Sequence, residues 1–311
     1  MSWISITLTS YFLLAIVAIL DKFLLTKEEI KPKIYAFYVG VLGILSIILI
    51  PFGFILPSGL ELGLAFLSGA LWIFALIGLY ESFNRFEISR IVPAIGGFLP
   101  IFTLSLTYLF AWRMQNVLGS FGYFKIISLI LLISGSVLIS LEKRKSIVKK
   151  SLIFAGLTAF LFSLSFTLAR IVYMDLNFIS GFVWMRIAGF IVALFLIFTK
   201  EVREELFKKK NKNRESLFNK PKTALLFLFN QAMGGVAVVL QNIAIYSVPA
   251  IYLAFINAFD GARYVFLLIL TIIISKKFPK VLSEKITKPF LIRKILAMIL
   301  IIGGLIILVI N

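Results

Sequence analysis

Residues 3–24 read WISITLTSYFLLAIVAILDKFL, and the first charge in that run is Asp21. Crossing the hydrocarbon core of a bilayer takes about 20 mostly apolar residues in a helix. This stretch has that length. No basic segment precedes it and no A-x-A-like site follows, so it is expected to be a retained first helix rather than a cleaved signal. Nine more stretches of the same kind follow, at 34–55, 61–81, 89–111, 123–141, 151–172, 178–199, 223–243, 248–275 and 290–310. The ninth stretch is long enough to tilt, kink or extend beyond the membrane.

Composition agrees. The 311 residues are 61% hydrophobic and 15% charged, with a mean hydropathy of +1.05. A soluble domain is roughly 45–50% apolar and about 25% charged. One water-soluble core of this size cannot hide the excess, so lipid is expected to solvate much of the surface. The chain has no cysteine and no histidine. That excludes disulfides, thiolate chemistry, imidazole or thiolate metal sites and histidine acid–base catalysis. No metal and no cofactor are expected.

The net charge of +18 would suggest nucleic acid in a soluble protein. Its distribution argues otherwise. Counted together with the stretch ends that flank them, the odd-numbered connections hold 27 Lys and Arg, the even-numbered ones only Arg113, Lys125 and Arg170, and two more, Arg186 and Arg263, fall deep inside stretches. A wrong helix count would scramble this alternation. The odd connections are therefore expected on the cytoplasmic side of a cell membrane, with both termini outside. The run Lys208-Lys209-Lys210-Asn211-Lys212-Asn213-Arg214 reads as a topology signal attracted to anionic lipid, and a regulatory or nucleic-acid role is its rival.

Ten stretches divide into two fives, residues 1–142 and 151–311. Five is odd, so the halves would insert in opposite orientations. Each half has a third stretch with glycine (Gly69; Gly234 and Gly235), then a short polar turn. Val92-Pro93-Ala94-Ile95 opens the fourth stretch and Val248-Pro249-Ala250-Ile251 the ninth, where proline suits a first helical turn. The fold class expected is an all-α integral membrane protein with about ten transmembrane helices in two inverted five-helix repeats, an architecture common among transporters.

Two five-helix halves, with Tyr80-Glu81-Ser82-Phe83 through Ile88-Ser89 and Pro100, resemble EamA-type members of the drug/metabolite transporter superfamily. The second copy of the core is Asn242-Ile243-Ala244-Ile245 followed by Val248–Ile251. Arg186 falls where that family often has arginine. The resemblance implies a ten-helix secondary transporter. The chain departs from the family at Ala111-Trp112-Arg113 and Lys276-Lys277, where relatives often carry an acidic residue, and in the sidedness of its termini.

Ionisable groups at mid-membrane cost roughly 2.5–3.5 kcal/mol each on insertion scales and are kept for function or pairing. Asp260 and Arg263 are spaced i,i+3 with Asn257 on the same face. They form either a neutralised structural pair or the lining of a cavity. Arg186 would recognise a carboxylate or phosphate bidentately, or pair with Asp260. Asn230 and Gln231 either bridge helices or touch substrate. Glu81 and Arg85, i,i+4 apart, read as an interfacial ion pair, with Glu81 alternatively a proton-coupling carboxylate second to Asp260. Asp21-Lys22 reads as another interfacial pair. Gly96-Gly97 and Pro100 are expected to interrupt the fourth stretch, freeing carbonyls toward a cavity. Ala65 and Gly69 read as close-packing positions, and Trp72, Tyr80, Trp184 and Tyr252 as walls, gates or interface anchors.

No Walker-type loop is present and no nucleophile–base constellation is visible, so an enzyme is not expected. The function expected is a secondary transporter, an exporter or exchanger, moving a small polar or anionic metabolite by alternating access. Its partners are that solute, the bilayer and a second copy of the chain in a homodimer. A flippase for a lipid-linked intermediate and a non-transporting scaffold are the rival readings.

Overall fold

Lipid offers backbone amides no hydrogen-bond partner, so a spanning segment must bond to itself. The computed structural model, which describes residues 3–114, 122–140, 145–207, 221–277, 296–297, 299–304 and 306–307, follows that rule: the described residues contain helices and turns and no strand. In order these are α1 (Trp3–Thr26), α2 (Pro32–Leu42) continued as a 3-10 segment (Gly43–Phe52), α3 (Gly59–Arg85), α4 (Ile88–Leu109), α5 (Tyr123–Ser140), α6 (Lys145–Asp175), α7 (Phe178–Phe195) with a 3-10 turn (Leu196–Phe198), α8 (Lys200–Phe207), α9 (Pro221–Ser247), a 3-10 turn (Ala250–Tyr252), α10 (Leu253–Ala258) and α11 (Asp260–Lys277). Among the described residues, eight helices are long and apolar enough to cross a membrane. The protein is an α-helical, multi-pass membrane protein. The run at 208–214 and most of the 290–310 stretch lie outside the described residues.

Caps set the ends. Ser58 and Glu61 form a capping box at the start of α3, satisfying two orphan amides reciprocally. Pro32 sits in the first turn of α2. Asn177 caps α7 by accepting from the Ser180 amide at 2.8 Å and donates to the Gly53 carbonyl at 2.7 Å. Gly53, with φ of 116°, ends the 3-10 segment in a conformation that favours glycine.

Small residues decide how closely helices approach. A Cβ on Gly69 would overlap the Met185 carbonyl of α7, and one on Gly40 would overlap Ala193. Gly69 and fully buried Ala65 are thus close-packing positions, as expected. Gly234 and Gly235 are not: nothing lies within 3.5 Å of a Cβ at either, the nearest atom being Val17 at 3.8 Å from Gly234. The apolar window of Ala250–Leu267 is 83% buried and that of Arg90–Leu109 67%, against 22% for Pro221–Ser247, so α4, α10 and α11 form the centre and α9 the periphery.

Besides α4 with α6, the most extensive contacts pair α3 with α6 and α1 with α9. Both are sealed by serine. Ser165 and Ser68 each donate to the other's carbonyl at 2.9 Å, and Ser10 donates to the Ala237 carbonyl at 2.8 Å. A second pairing joins helix ends. Lys22, near the end of α1, donates to the Phe83 and Phe86 carbonyls at the end of α3. Arg170, near the end of α6, donates to the Ile245 and Tyr246 carbonyls at the end of α9. Cations at orphan C-terminal carbonyls satisfy them and complement the helix dipole. The two caps sit at opposite ends of α4: Phe86 precedes its first residue, while Asp175 at the end of α6 pairs with Arg113, just past its last, at 2.6 Å.

Two expectations change. The fourth stretch is one continuous helix through Gly96, Gly97 and Pro100; the interruption lies in the ninth, where Phe259 separates α10 from α11. The two Val-Pro-Ala-Ile tetrapeptides are not equivalent. Pro93 is inside α4, whereas Pro249 precedes the 3-10 turn.

Candidate functional site

The residues singled out in the sequence fall into three buried clusters rather than one. The first lies where α1, α2 and α9 meet. Tyr35 donates to Asp21 Oδ1 at 2.5 Å, and Asn230 Nδ2 donates to the same oxygen at 2.6 Å. Asn230 and Gln231 donate to Tyr35 Oη at 2.9 and 3.1 Å. Aromatic rings close the cluster: Tyr80 and Phe227 meet the Tyr35 ring edge-on at 4.6 and 5.1 Å. Asp21 is only 3% exposed. It does not pair with Lys22, which is turned to the carbonyls at the end of α3, so the interfacial ion pair expected here is not formed. Asn230 and Gln231 are amides with partners, and one of those partners is a carboxylate that the sequence did not single out as a site.

The second cluster is at the α10–α11 break. Arg263 donates to Asp260 Oδ1 at 3.0 Å, and both are buried. Asp260 stands in the first turn of α11, where the helix dipole favours a negative charge. Its other oxygen, Oδ2, has no hydrogen-bond partner and would lie 3.3 Å from a Cβ on Gly96. The glycine lets α4 approach the carboxylate. Asn257 donates to Thr103 Oγ1 at 2.7 Å, leaving its Oδ1 without a partner. Arg263 Nε is likewise buried and unbonded. Tyr11 lies within the electrostatic reach of both Asp260 and Arg263 and accepts from Gln241 at 3.2 Å.

The third cluster surrounds Arg186 on α7. Its guanidinium carbon is 3.9 Å from the centre of a Trp72 ring on α3 and 5.2 Å from that of Phe182. Its side chain passes Gly43, where α2 tightens into the 3-10 segment. Among the described residues no carboxylate pairs with it and no group hydrogen-bonds its side chain, and Nε is fully buried. Arg186 does not pair with Asp260, whose partner is Arg263. Trp184 packs on Phe54 at 5.9 Å with its indole nitrogen buried and unbonded.

No protein-family model and no curated protein sequence matches the chain. Its fold is similar to that of a solved crystal structure described only as that of a protein, at 12% identity over 97% of both chains with a TM-score of 0.60. A likeness at that identity speaks for the fold alone.

Glu81 stands apart from all three clusters. It bonds to Arg85 at 2.9 Å near the end of α3, and Arg85 also lies over Phe154. Tyr35 and Thr103 were missed by sequence reading, because a lone tyrosine or threonine in an apolar run carries no signal until another helix is placed beside it; Gly96 was singled out, but as a helix interruption rather than as the close approach to Asp260 that it is. On the surface, α8 docks through Lys33, whose ammonium bonds to Glu201 at 2.9 Å and holds that carboxyl below its usual range.

Proposed function

We propose that the protein is a secondary transporter that moves a small carboxylate-bearing solute, anionic or zwitterionic, by alternating access. One observation carries this reading: Arg186 is a buried cation with no anionic partner among the described residues. Arginine cannot discharge by losing a proton. Burying an ion costs several kcal/mol after relaxation, and a cation–π contact returns about 0.5–2 kcal/mol. The shortfall is met by an anion that comes and goes. The open valences at Asp260 Oδ2, Asn257 Oδ1 and Arg263 Nε offer both acceptors and a donor to a solute's polar groups.

The architecture proposed is ten helices in two inverted repeats, one of 1–142 and one of 151–311, as in EamA-type transporters. The exchanged pairs α1–α9 and α3–α6, and the two cation caps at opposite ends of α4, support it. The basic odd-numbered connections then face the cytoplasm from a cell membrane.

Counterflow in proteoliposomes with a panel of mono- and dicarboxylates, amino acids and neutral controls tests the reading. Saturable exchange of carboxylate-bearing solutes is expected, with KM raised about tenfold or more in Arg186→Gln, the scale of one charge-assisted bond. Absence of exchange for every solute, with the protein folded, contradicts it; lipid translocation in the same vesicles would identify a flippase instead.

A further inference from the structure

Nothing so far gives Asp21 a task, and its surroundings are unusual for a carboxylate in a membrane helix. We propose that Asp21 is the residue on which the protein loads and releases a proton, in a cluster with Tyr35, Asn230 and Gln231. The proposal rests on the transport reading only for what the proton drives.

Three features of the cluster carry it. First, Asp21 is buried without a cation partner among the described residues, although a lysine follows it in sequence. Lys22 is committed to the carbonyls at the end of α3. Second, the bonds to Asp21 come from neutral groups, a phenol and an amide, both reaching the same oxygen. They offset part of the cost of burying a charge, whereas a cation would fix the charged form outright. The charged and neutral acids are thus brought close in free energy, as a proton carrier requires.

Third, the partners can serve either form. Tyrosine hydroxyls and asparagine amides both donate and accept. Asn230 now turns Nδ2 to the carboxylate, while its Oδ1 is buried and has no partner. Rotating the amide by half a turn presents that oxygen to a protonated Asp21. The orphaned acceptor is then satisfied and the acid O–H gains a partner, while Nδ2 gives up its bonds to Asp21 and Tyr35, so each protonation state has bonds of its own. Arg263 offers Asp260 no such alternative, because a guanidinium only donates. A proton on Asp260 would have no acceptor in that pair and would leave Arg263 uncompensated.

The other titratable groups facing the cluster do not replace the proton. From α3 comes Tyr80, packed on Tyr35. From α11 comes Arg263, whose field reaches Asp21 but whose guanidinium bonds to Asp260. From the start of α4 comes Glu87, which faces Lys22. Near the cluster, α9 brings only the amides of Asn230 and Gln231. The cluster ties α1 to α2 and α9, so a change in its hydrogen bonds bears directly on one of the three most extensive helix pairs.

The test combines two readouts on reconstituted wild type, Asp21→Asn, Asp21→Glu and Asp260→Asn. In pH-jump infrared difference spectra, a carboxyl signal is expected in wild type and Asp260→Asn, shifted in Asp21→Glu and gone in Asp21→Asn. In proteoliposomes, an imposed pH gradient should accelerate net solute movement by wild type and Asp21→Glu. With Asp21→Asn the rates with and without the gradient should be equal. An infrared signal that survives in Asp21→Asn overturns the proposal, as does a gradient response that survives there or one that depends on sodium instead of pH. If no solute moves in any vesicle, the transport reading fails while the infrared result still decides Asp21.

Discussion

Asp21 and Asp260 are both buried carboxylates in membrane helices, 3% and 2% exposed, and they are stabilised in opposite ways. Asp260 has a cation one turn away on its own helix and the N-terminus of α11 beneath it. Asp21 has two neutral donors from two other helices, α2 and α9. The difference teaches that burial alone does not mark a titrating group. What matters is whether the partners can bond to both protonation states. The same test separates the two arginines: Arg263 has its anion, and Arg186 rests on an indole face with none among the described residues.

The largest effect is expected where compensation is removed. Arg263→Gln leaves Asp260 buried and uncompensated, and should lower stability by about 3–5 kcal/mol, read as thermal unfolding in detergent. If stability barely changes, Asp260 is not held by that pair and the contrast collapses. Tyr35→Phe removes a donor to Asp21 and strands Gln231, for a loss of about 1–3 kcal/mol. Removing one cation cap, Lys22→Met or Arg170→Met, should cost about 1–2 kcal/mol each at the upper range of helix-terminus charges. Near-equal losses support equivalent roles in the two halves. The isosteric Asp21→Asn keeps most hydrogen bonds and should cost about 1 kcal/mol or less.

The smallest effect is at the surface. Lys33 holds Glu201 below its usual range. A depressed carboxyl contributes stability that is present above its unfolded-state pKa and lost as pH falls through the lower folded one. Acidification through and below the ordinary Glu range should therefore loosen α8, by about 0.5 kcal/mol or less. Amide exchange of 200–207 against pH reads this, and Lys33→Ala should weaken the pH dependence.

Much of the fold was legible because a membrane imposes a length. Eight of the ten apolar stretches return as long apolar helices with ends shifted by a few residues. What misled was local. Gly96-Gly97-Pro100 looked like a break, yet α4 stays helical, and the break came at Phe259, two residues before Gly261, in the stretch whose length alone had allowed a kink. Val-Pro-Ala-Ile matched in letters and not in place. At the candidate sites, Asp260 with Arg263 was readable because i,i+3 spacing is a property of one helix. Asp21 was taken for the partner of its neighbour Lys22, because its true partners, Tyr35 and Asn230, lie 14 and 209 residues away. Likewise, nothing in the sequence around Arg186 announces Trp72.

That last contact also supplies the most direct measurement. The chain has four tryptophans, so replacing Trp3, Trp112 and Trp184 with phenylalanine leaves Trp72 alone beneath Arg186. Its emission, titrated with the carboxylate panel, reports whether an anion reaches the guanidinium. The account predicts a saturable change for carboxylate-bearing solutes, absent for neutral ones and abolished by Arg186→Gln. An emission that ignores every solute while the same protein still carries one would contradict the assignment of Arg186 as the solute's anion site.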